Sequence, residues 1–278
     1  MRETSRAAVG FILPSRCLAC RRDDVDECLR GGVCRRCWET LPEPDPDRCA
    51  RCDESLPAAL AGQSCGRCLL DPPAFERLLA AAPYRGTARE MLLAFKFRGA
   101  DYLGARLAEA MIRRLPPPDR AFEVAAVPAT DRARRSRGYN PAEVLAVAVA
   151  RSLGVPFRRE LLTKTRETRV QSLVPAAERS ANVRRAFRAG ARPPAGVLLV
   201  DDVATSGATA RECAARLAAA GAGSVTVWCF ARSSRADVES EDSREVESED
   251  SREVESEDSR EVEAEASHER AEPEALEK

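Results

Sequence analysis

Four Cys-x-x-Cys pairs between Cys17 and Cys68 constrain the fold more than any other feature of this chain. Two thiolates separated by two residues bind one Zn²⁺ from a tight turn, and two such pairs complete a tetrahedral four-cysteine site. The gap from the first pair to the second, and that from the third to the fourth, suit two consecutive zinc ribbons. A cross-brace, in which the first pair joins the third, satisfies the same spacing. The predicted zinc ligands are Cys17, Cys20, Cys34, Cys37, Cys49, Cys52, Cys65 and Cys68.

The arrangement of these cysteines favours structural zinc over other uses of cysteine. A single Cys-x-x-Cys pair is typical of redox proteins, but four in succession at ribbon spacing are typical of zinc sites. The spacing does not resemble a secreted disulfide framework, and no signal peptide or transmembrane run is evident. Because each predicted site has four thiolates and no open position, zinc is expected to fold residues 1–70 rather than to catalyse. We therefore expect a protein of the reducing cytoplasm that does not insert into membranes.

The segment 71–236 is predicted to form an α/β domain. Strand patterns alternate with helical patterns along it, which predicts a parallel sheet with helices on both faces. The segments GVLLV and SVTVWCFA are continuous apolar runs, as expected for strands that are covered on both sides. Pro141 lies at the predicted first turn of one helix, and Gly154 and Gly221 mark predicted helix ends.

The last segment, 237–278, differs sharply in composition. The sequence VESEDSRE occurs three times in succession, and 19 acidic and five basic residues give the segment a net charge of −14. Residues 1–236 therefore carry +13, although the whole chain carries −1. We predict a disordered acidic tail, although a helix is compatible with the same composition. The basic body fits a polyanionic partner such as a phosphorylated metabolite or nucleic acid, although chains rich in Ala, Arg and Pro are often basic without such a partner.

The segment from Val197 to Thr209 carries the predicted ligand site. An apolar strand leads into two adjacent carboxylates, Asp201 and Asp202, and a Thr-Ser-Gly-Ala-Thr turn then begins a helix. Backbone amides at a helix N-terminus form an anion cradle, and the glycine permits close approach of a phosphate. Carboxylates at the end of such a strand suit ribose hydroxyls and water-mediated Mg²⁺. The predicted ligand-binding residues are Thr205, Ser206, Gly207, Ala208 and Thr209.

The order of these residues resembles the phosphoribosyl-pyrophosphate (PRPP) signature of type I phosphoribosyltransferases. Three further segments resemble the ComF family: residues 127–146, with Arg137-Gly138-Tyr139-Asn140 as their most recognisable part; residues 163–187, which resemble that family's flexible catalytic loop; and the stretch that contains Tyr84, Lys96 and Phe97. Together with the cysteine pairs, the resemblance covers about residues 1–235. The motif positions in the second segment are Lys164, Arg166, Gln171, Arg179 and Asn182.

The resemblance implies a type I phosphoribosyltransferase fold preceded by a double zinc ribbon, with PRPP and Mg²⁺ as ligands. It implies catalytic roles for Asp201, Asp202, Arg137 and Arg166. The implied reaction is displacement of pyrophosphate from C1 of PRPP by a nitrogen nucleophile. Purine-salvage relatives carry an acidic residue where this chain has Thr205, which argues against a purine acceptor.

A second function is compatible with the same loop. The ComF resemblance also implies a factor of natural competence that binds single-stranded DNA or a competence ATPase without turning over PRPP. Under this interpretation PRPP serves only as a ligand or is not used at all. For Arg132 and Arg134, a solvated basic loop is an alternative to diphosphate binding.

Overall fold

A parallel four-stranded sheet organises the part of the chain that the computed structural model describes, residues 16–22, 32–166 and 183–234. The strands are β1 (Arg77–Pro83), β2 (Glu123–Ala126), β3 (Leu162–Lys164), β4 (Phe187–Ala189), β5 (Gly196–Ala204) and β6 (Ser224–Arg232). Four of these strands form the main sheet in the order β1-β6-β5-β2, and each neighbouring pair is parallel. Strands β3 and β4 form a separate antiparallel pair.

Helices cover both faces of this sheet. The helices of the described residues are α1 (Arg35–Glu39), α2 (Gly66–Leu70), α3 (Gly86–Phe97), α4 (Gly104–Arg114), α5 (Asp131–Arg137), α6 (Pro141–Leu153) and α7 (Ala208–Ala219), with short 3-10 turns at Ala58–Leu60, Asp101–Leu103 and Arg159–Leu161. Helices α3, α4 and α6 share a core with Leu198 and Trp228 on one face. Helix α7 shares a core with Leu199 and Val227 on the other. The predicted α/β architecture, a parallel sheet flanked by helices and preceded by a double zinc ribbon, is confirmed.

The two cysteine-rich lobes dock on different parts of the domain. The first lobe holds Cys17, Cys20, Cys34 and Cys37, and the second holds Cys49, Cys52, Cys65 and Cys68. Val33 and Leu41 of the first lobe belong to the core that contains α3 and α4. Arg114, at the end of α4, donates hydrogen bonds to the carbonyl oxygens of Leu41 and Pro42 at 3.0 and 2.8 Å. The second lobe lies against edge strand β1, where the Ala80 amide donates to the Asp53 carboxylate at 2.9 Å. The second lobe therefore covers an edge of the sheet.

Residues 131–137 correct the sequence prediction of a basic loop, because they form helix α5. The Thr130 side chain accepts a hydrogen bond from the Ala133 amide at 3.1 Å and caps the helix. Gly138, with φ of 82°, ends it in the left-handed region. No residue of α5 is buried. The helix therefore lacks the apolar periodicity by which a sequence reveals a helix.

Several predictions fall on residues outside the described ranges. Gln171, Arg179 and Asn182 lie there, as does the acidic segment 237–278. None of the helices in the described ranges combines the length and apolar character needed to cross a bilayer.

Candidate functional site

Two clusters of four cysteines form in the order of the chain. The first contains Cys17, Cys20, Cys34 and Cys37, and the second contains Cys49, Cys52, Cys65 and Cys68. Within each cluster the ligand atoms all lie within 4.8 Å of one another. The first pair therefore joins the second and the third joins the fourth, so the sites are consecutive ribbons and not a cross-brace.

The sulfur separations fit tetrahedral zinc. Zn–S bonds of about 2.3 Å give sulfur–sulfur distances of about 3.8 Å at the corners of a tetrahedron. The Sγ atoms of Cys17 and Cys37 are 3.8 Å apart, those of Cys20 and Cys34 are 3.9 Å apart, and those of Cys52 and Cys65 are 3.7 Å apart. Among the described residues, four thiols are the whole ligand set of each cluster, so both sites suit structural zinc.

Backbone amides prepare one thiol of each cluster for metal binding. The Cys34 amide donates to Cys17 Sγ at 3.3 Å, and the Cys65 amide donates to Cys49 Sγ at 3.1 Å. Burial opposes ionisation of both thiols, but these and other backbone hydrogen bonds outweigh it and lower the pKa of Cys17 and of Cys49 to about 7. Each ribbon therefore offers a thiolate near neutral pH, the form that binds zinc.

The loop from Thr205 to Thr209 connects β5 to α7. Gly207 has φ of 71° and stands at the N-cap of this 12-residue helix. The nearest atom to a Cβ at this position is Arg232 Nη1 at 3.6 Å, so the left-handed backbone and not lack of space requires glycine. The amides of Ser206 and Gly207 donate to no acceptor within the described ranges. Unpaired donors at the start of a helix favour an anion.

The two predicted carboxylates lie inside β5, because the strand continues to Ala204. Neighbouring side chains on a strand point to opposite faces. Asp202 is buried and forms an ion pair with Lys96 of α3, with Nζ 3.0 Å from Oδ1. Asp201 is partly buried. Its pKa is raised to about 7, by burial and by the charge of Asp202, against the opposing effect of Lys96.

The predicted catalytic arginines lie on two further elements. Arg137, at the end of α5, places its guanidinium over the ring of Phe97 at 4.9 Å. Because Phe97 follows Lys96 on α3, the helix end contacts both Arg137 and Asp202. Arg166 follows β3 and donates to the Arg184 carbonyl at 2.8 Å. The structure thus brings Arg137 to the helix end that pairs with Asp202, while Arg166 contacts the segment before β4.

Sequence reasoning assigned no role to three basic residues around this site, although Lys96 lies in a stretch that resembles the ComF family. Lys96 interrupts the apolar run AFKF near the end of α3, and that interruption is the one local signal of its pairing. Arg67 of α2 donates to the Ser206 carbonyl at 2.7 Å. Arg232 lies at the end of β6 beside Gly207. Neither arginine carries a sequence signal, because each reaches the loop from a distant part of the chain.

Comparisons with known proteins match this arrangement. Residues 8–69 match the double zinc ribbon domain. DNA utilization protein YhgH of Escherichia coli K12 is 32% identical over 213 residues, which cover 73% of this chain and 91% of that protein. Its Salmonella typhi counterpart matches with the same identity and coverage. Competence protein F of Haemophilus influenzae is 25% identical over 228 residues, covering 78% of this chain and 97% of that protein.

Fold and metal sites together define a double zinc ribbon joined to a parallel α/β domain. The coverage of the curated relatives extends this likeness well beyond the ribbon segment. The chain belongs to the ComF family.

Proposed function

We propose that this chain binds PRPP or another ribose 5-phosphate compound, together with Mg²⁺, at Asp201, Asp202 and the loop from Thr205 to Thr209. The observation that carries this proposal is the loop, where the unpaired amides of Ser206 and Gly207 begin a helix just after two carboxylates. The loop suits the 5-phosphate, and the carboxylates suit ribose hydroxyls.

Each side chain has a role that follows from its contacts. Carboxylate oxygens are hard ligands that suit Mg²⁺, which supplies charge neutralisation for a diphosphate when bound. Lys96 pairs with one oxygen of Asp202, which leaves the second oxygen of that carboxylate for a ligand. Arg137 and Arg166 supply the positive charge that a departing diphosphate requires.

The proposed transfer reaction forms one bond, breaks one bond and releases one proton. A nitrogen nucleophile forms a bond to C1 of the ribose, the bond from C1 to the diphosphate oxygen breaks, and the nitrogen loses one proton to solvent. Pyrophosphate keeps the bonding electron pair. Thr205 has no carboxylate to accept the proton, so positioning and charge stabilisation carry the rate. Release of pyrophosphate from PRPP across a panel of nitrogen bases tests this step.

Binding is tested by calorimetry with PRPP and Mg²⁺. Asp201→Asn combined with Asp202→Asn keeps the shape and removes both carboxyl groups. Hydrogen bonds to charged groups contribute about 1.5–3 kcal/mol each, so affinity is expected to fall at least about tenfold. Asp131→Asn, a change at an exposed carboxylate of α5, is the control and is expected to bind as the wild type does. Absence of wild-type binding near millimolar ligand, or full affinity in the double variant, contradicts the proposal.

A DNA-uptake-related role is a second candidate, supported by the names of the relatives, DNA utilization protein and competence protein. Helix α5 favours it, because Arg132, Arg134 and Arg135 are exposed there. Phosphate contacts make binding depend steeply on salt. Changing these three arginines to glutamine is expected to weaken single-stranded DNA binding and to flatten its salt dependence, whereas Arg35→Gln on the first ribbon is expected to leave both unchanged. An unaltered salt slope in the triple variant counts against this role.

A further inference from the structure

The second zinc ribbon directly contacts the loop from Thr205 to Thr209, the anion loop. Arg67 lies between the zinc ligands Cys65 and Cys68, and its Nη1 donates to the Ser206 carbonyl oxygen at 2.7 Å. A zinc site that holds both cysteines also holds the short helix that carries Arg67. The position of Ser206 is therefore tied to the second metal site through one charge-assisted hydrogen bond.

A second arginine connects the same ribbon to the loop. Arg232 is only 6% exposed, and its Nη2 pairs with the Glu54 carboxylate at 2.5 Å. Glu54 stands two residues after the zinc ligand Cys52. Arg232 Nη1 faces Gly207, and both Nη1 and Nε are buried without a hydrogen-bond partner in the described ranges. Buried polar groups normally have partners, so these two donors require an explanation.

A third contact joins the ribbon to the helix that the loop begins. Arg211, in the first turn of α7, donates to Cys68 Sγ at 3.1 Å and to the Asp71 carbonyl oxygen at 2.6 Å. In the first ribbon, Arg36 occupies the same place between two zinc ligands as Arg67 does in the second, yet Arg36 is exposed. The first ribbon contacts α4 through Arg114 instead.

We infer that the second zinc ribbon supports the anion loop. Arg67 holds the backbone of the loop, and Arg232 holds a positive charge beside it, both in position for a phosphate monoester. This inference rests on the proposed function. A phosphate in the loop places a negative charge beside the buried guanidinium of Arg232, which Glu54 already pairs at Nη2. Ligand binding then depends on the second zinc site and is independent of Arg36 at the first. Arg67 and Arg232 act as positioning residues, since both reach the ligand through the loop.

The matched pair Arg67→Met and Arg36→Met tests the inference in the zinc-loaded full chain. Both changes remove one guanidinium at the same place in a ribbon. By calorimetry with ribose 5-phosphate, Arg67→Met is expected to bind about tenfold more weakly, whereas Arg36→Met stays within about twofold of wild type. Zinc content of two per chain confirms that each ribbon is intact. Equal losses in the two variants, or no loss in Arg67→Met, overturn the inference.

A second readout needs no ligand. Hydrogen exchange at the amides of residues 205–209 is expected to become faster in Arg67→Met and to stay unchanged in Arg36→Met. If wild-type protein binds no ribose 5-phosphate, the proposed function fails, and the exchange rates still decide whether the ribbon holds the loop.

Arg232 is tested by replacements of similar length that keep or remove its positive charge. Arg232→Lys is expected to retain most of the affinity for ribose 5-phosphate, whereas Arg232→Met loses about tenfold or more. If Arg232→Met does not fold, Glu54→Gln replaces it, because that change leaves Arg232 in place and removes its counter-charge. Glu54→Gln is expected to bind ribose 5-phosphate at least as tightly as wild type. Weaker binding by Glu54→Gln, or equal binding by Arg232→Met and wild type, overturns the role of Arg232.

Discussion

Asp201 and Asp202 are neighbours of the same residue type, yet their replacement by asparagine is expected to change stability in opposite directions. Asp201 is partly buried, and burial together with the charge of Asp202 raises its pKa from 3.8 to about 7. Asp202 instead forms an ion pair with Lys96, in which both side chains are largely buried, 13% and 14% exposed. Burial thus disfavours the ionised form of Asp201, whereas Asp202 is paired with a cation.

The magnitude for Asp201 follows from linkage. Between pH 4 and 7 the native state keeps a proton on Asp201 that the unfolded chain releases, so stability falls as pH rises through this window. A pKa raised from 3.8 to about 7 corresponds to at most about 4 kcal/mol, and partial exposure of the side chain reduces this to about 1–2 kcal/mol. Asp201→Asn removes the titration. The variant is therefore expected to be more stable than wild type by that reduced amount at pH 8, with no such gain at pH 4.

Asp202→Asn is expected to act in the other direction. Removing one partner of a largely buried ion pair leaves Lys96 with only the neighbouring Asp201 as counter-charge, and destabilises by up to about 3–5 kcal/mol near neutral pH. Urea unfolding of the wild type and both variants at pH 4 and pH 8 measures these differences. A stability difference between Asp201→Asn and wild type that is the same at both pH values refutes the argument for a raised pKa. Equal stability of Asp202→Asn and wild type refutes the importance of the Lys96 pair.

The metal sites, the loop and the tail each carry a further prediction. Elemental analysis is expected to find two zinc ions per chain, and one in Cys34→Ser; one or none in unchelated wild-type protein contradicts the ribbon assignment. Gly207→Ala and Gly154→Ala, with φ of 71° and 68°, are each expected to lose about 1 kcal/mol of stability, but only the first to weaken ribose 5-phosphate binding. Equal binding by both contradicts the loop assignment. Truncation after Ala236 is expected to strengthen single-stranded DNA binding at low salt and not at high salt. Unchanged low-salt affinity contradicts screening by the acidic tail.

The strands and main helices were predictable because their signals are local. Continuous apolar runs predicted β5 and β6, and Pro141 with Gly154 bounded α6 where the structure has it. The extent of β5 was not predictable. Its residues Val203 and Ala204 pair with the end of β6, so the strand continues through both aspartates. Exposed helix α5 was missed because it buries nothing.

Around the loop, the residues proposed to bind the ligand are neighbours in the sequence, whereas the basic residues that contact them are not. Asp201 to Thr209 form one continuous motif, whereas Lys96, Arg67 and Arg232 arrive from three other elements. Contacts between residues so far apart in the chain leave no periodicity or spacing to detect. The domain boundaries at residues 70 and 236, the roles of the site residues and the cytoplasmic location stay predictions.

The central position of β6 sets an order of events during synthesis. Strand β6 is the last of the described strands to leave the ribosome, yet it lies between β1 and β5. Until residues 224–232 emerge, β1 lacks its partner among the described strands, and the nascent sheet consists of β2 and β5 alone. The zinc ribbons need only the chain as far as Cys68 and a metal, so they can close much earlier. Metal supply thus acts before the sheet can form, and completion of the sheet waits for β6.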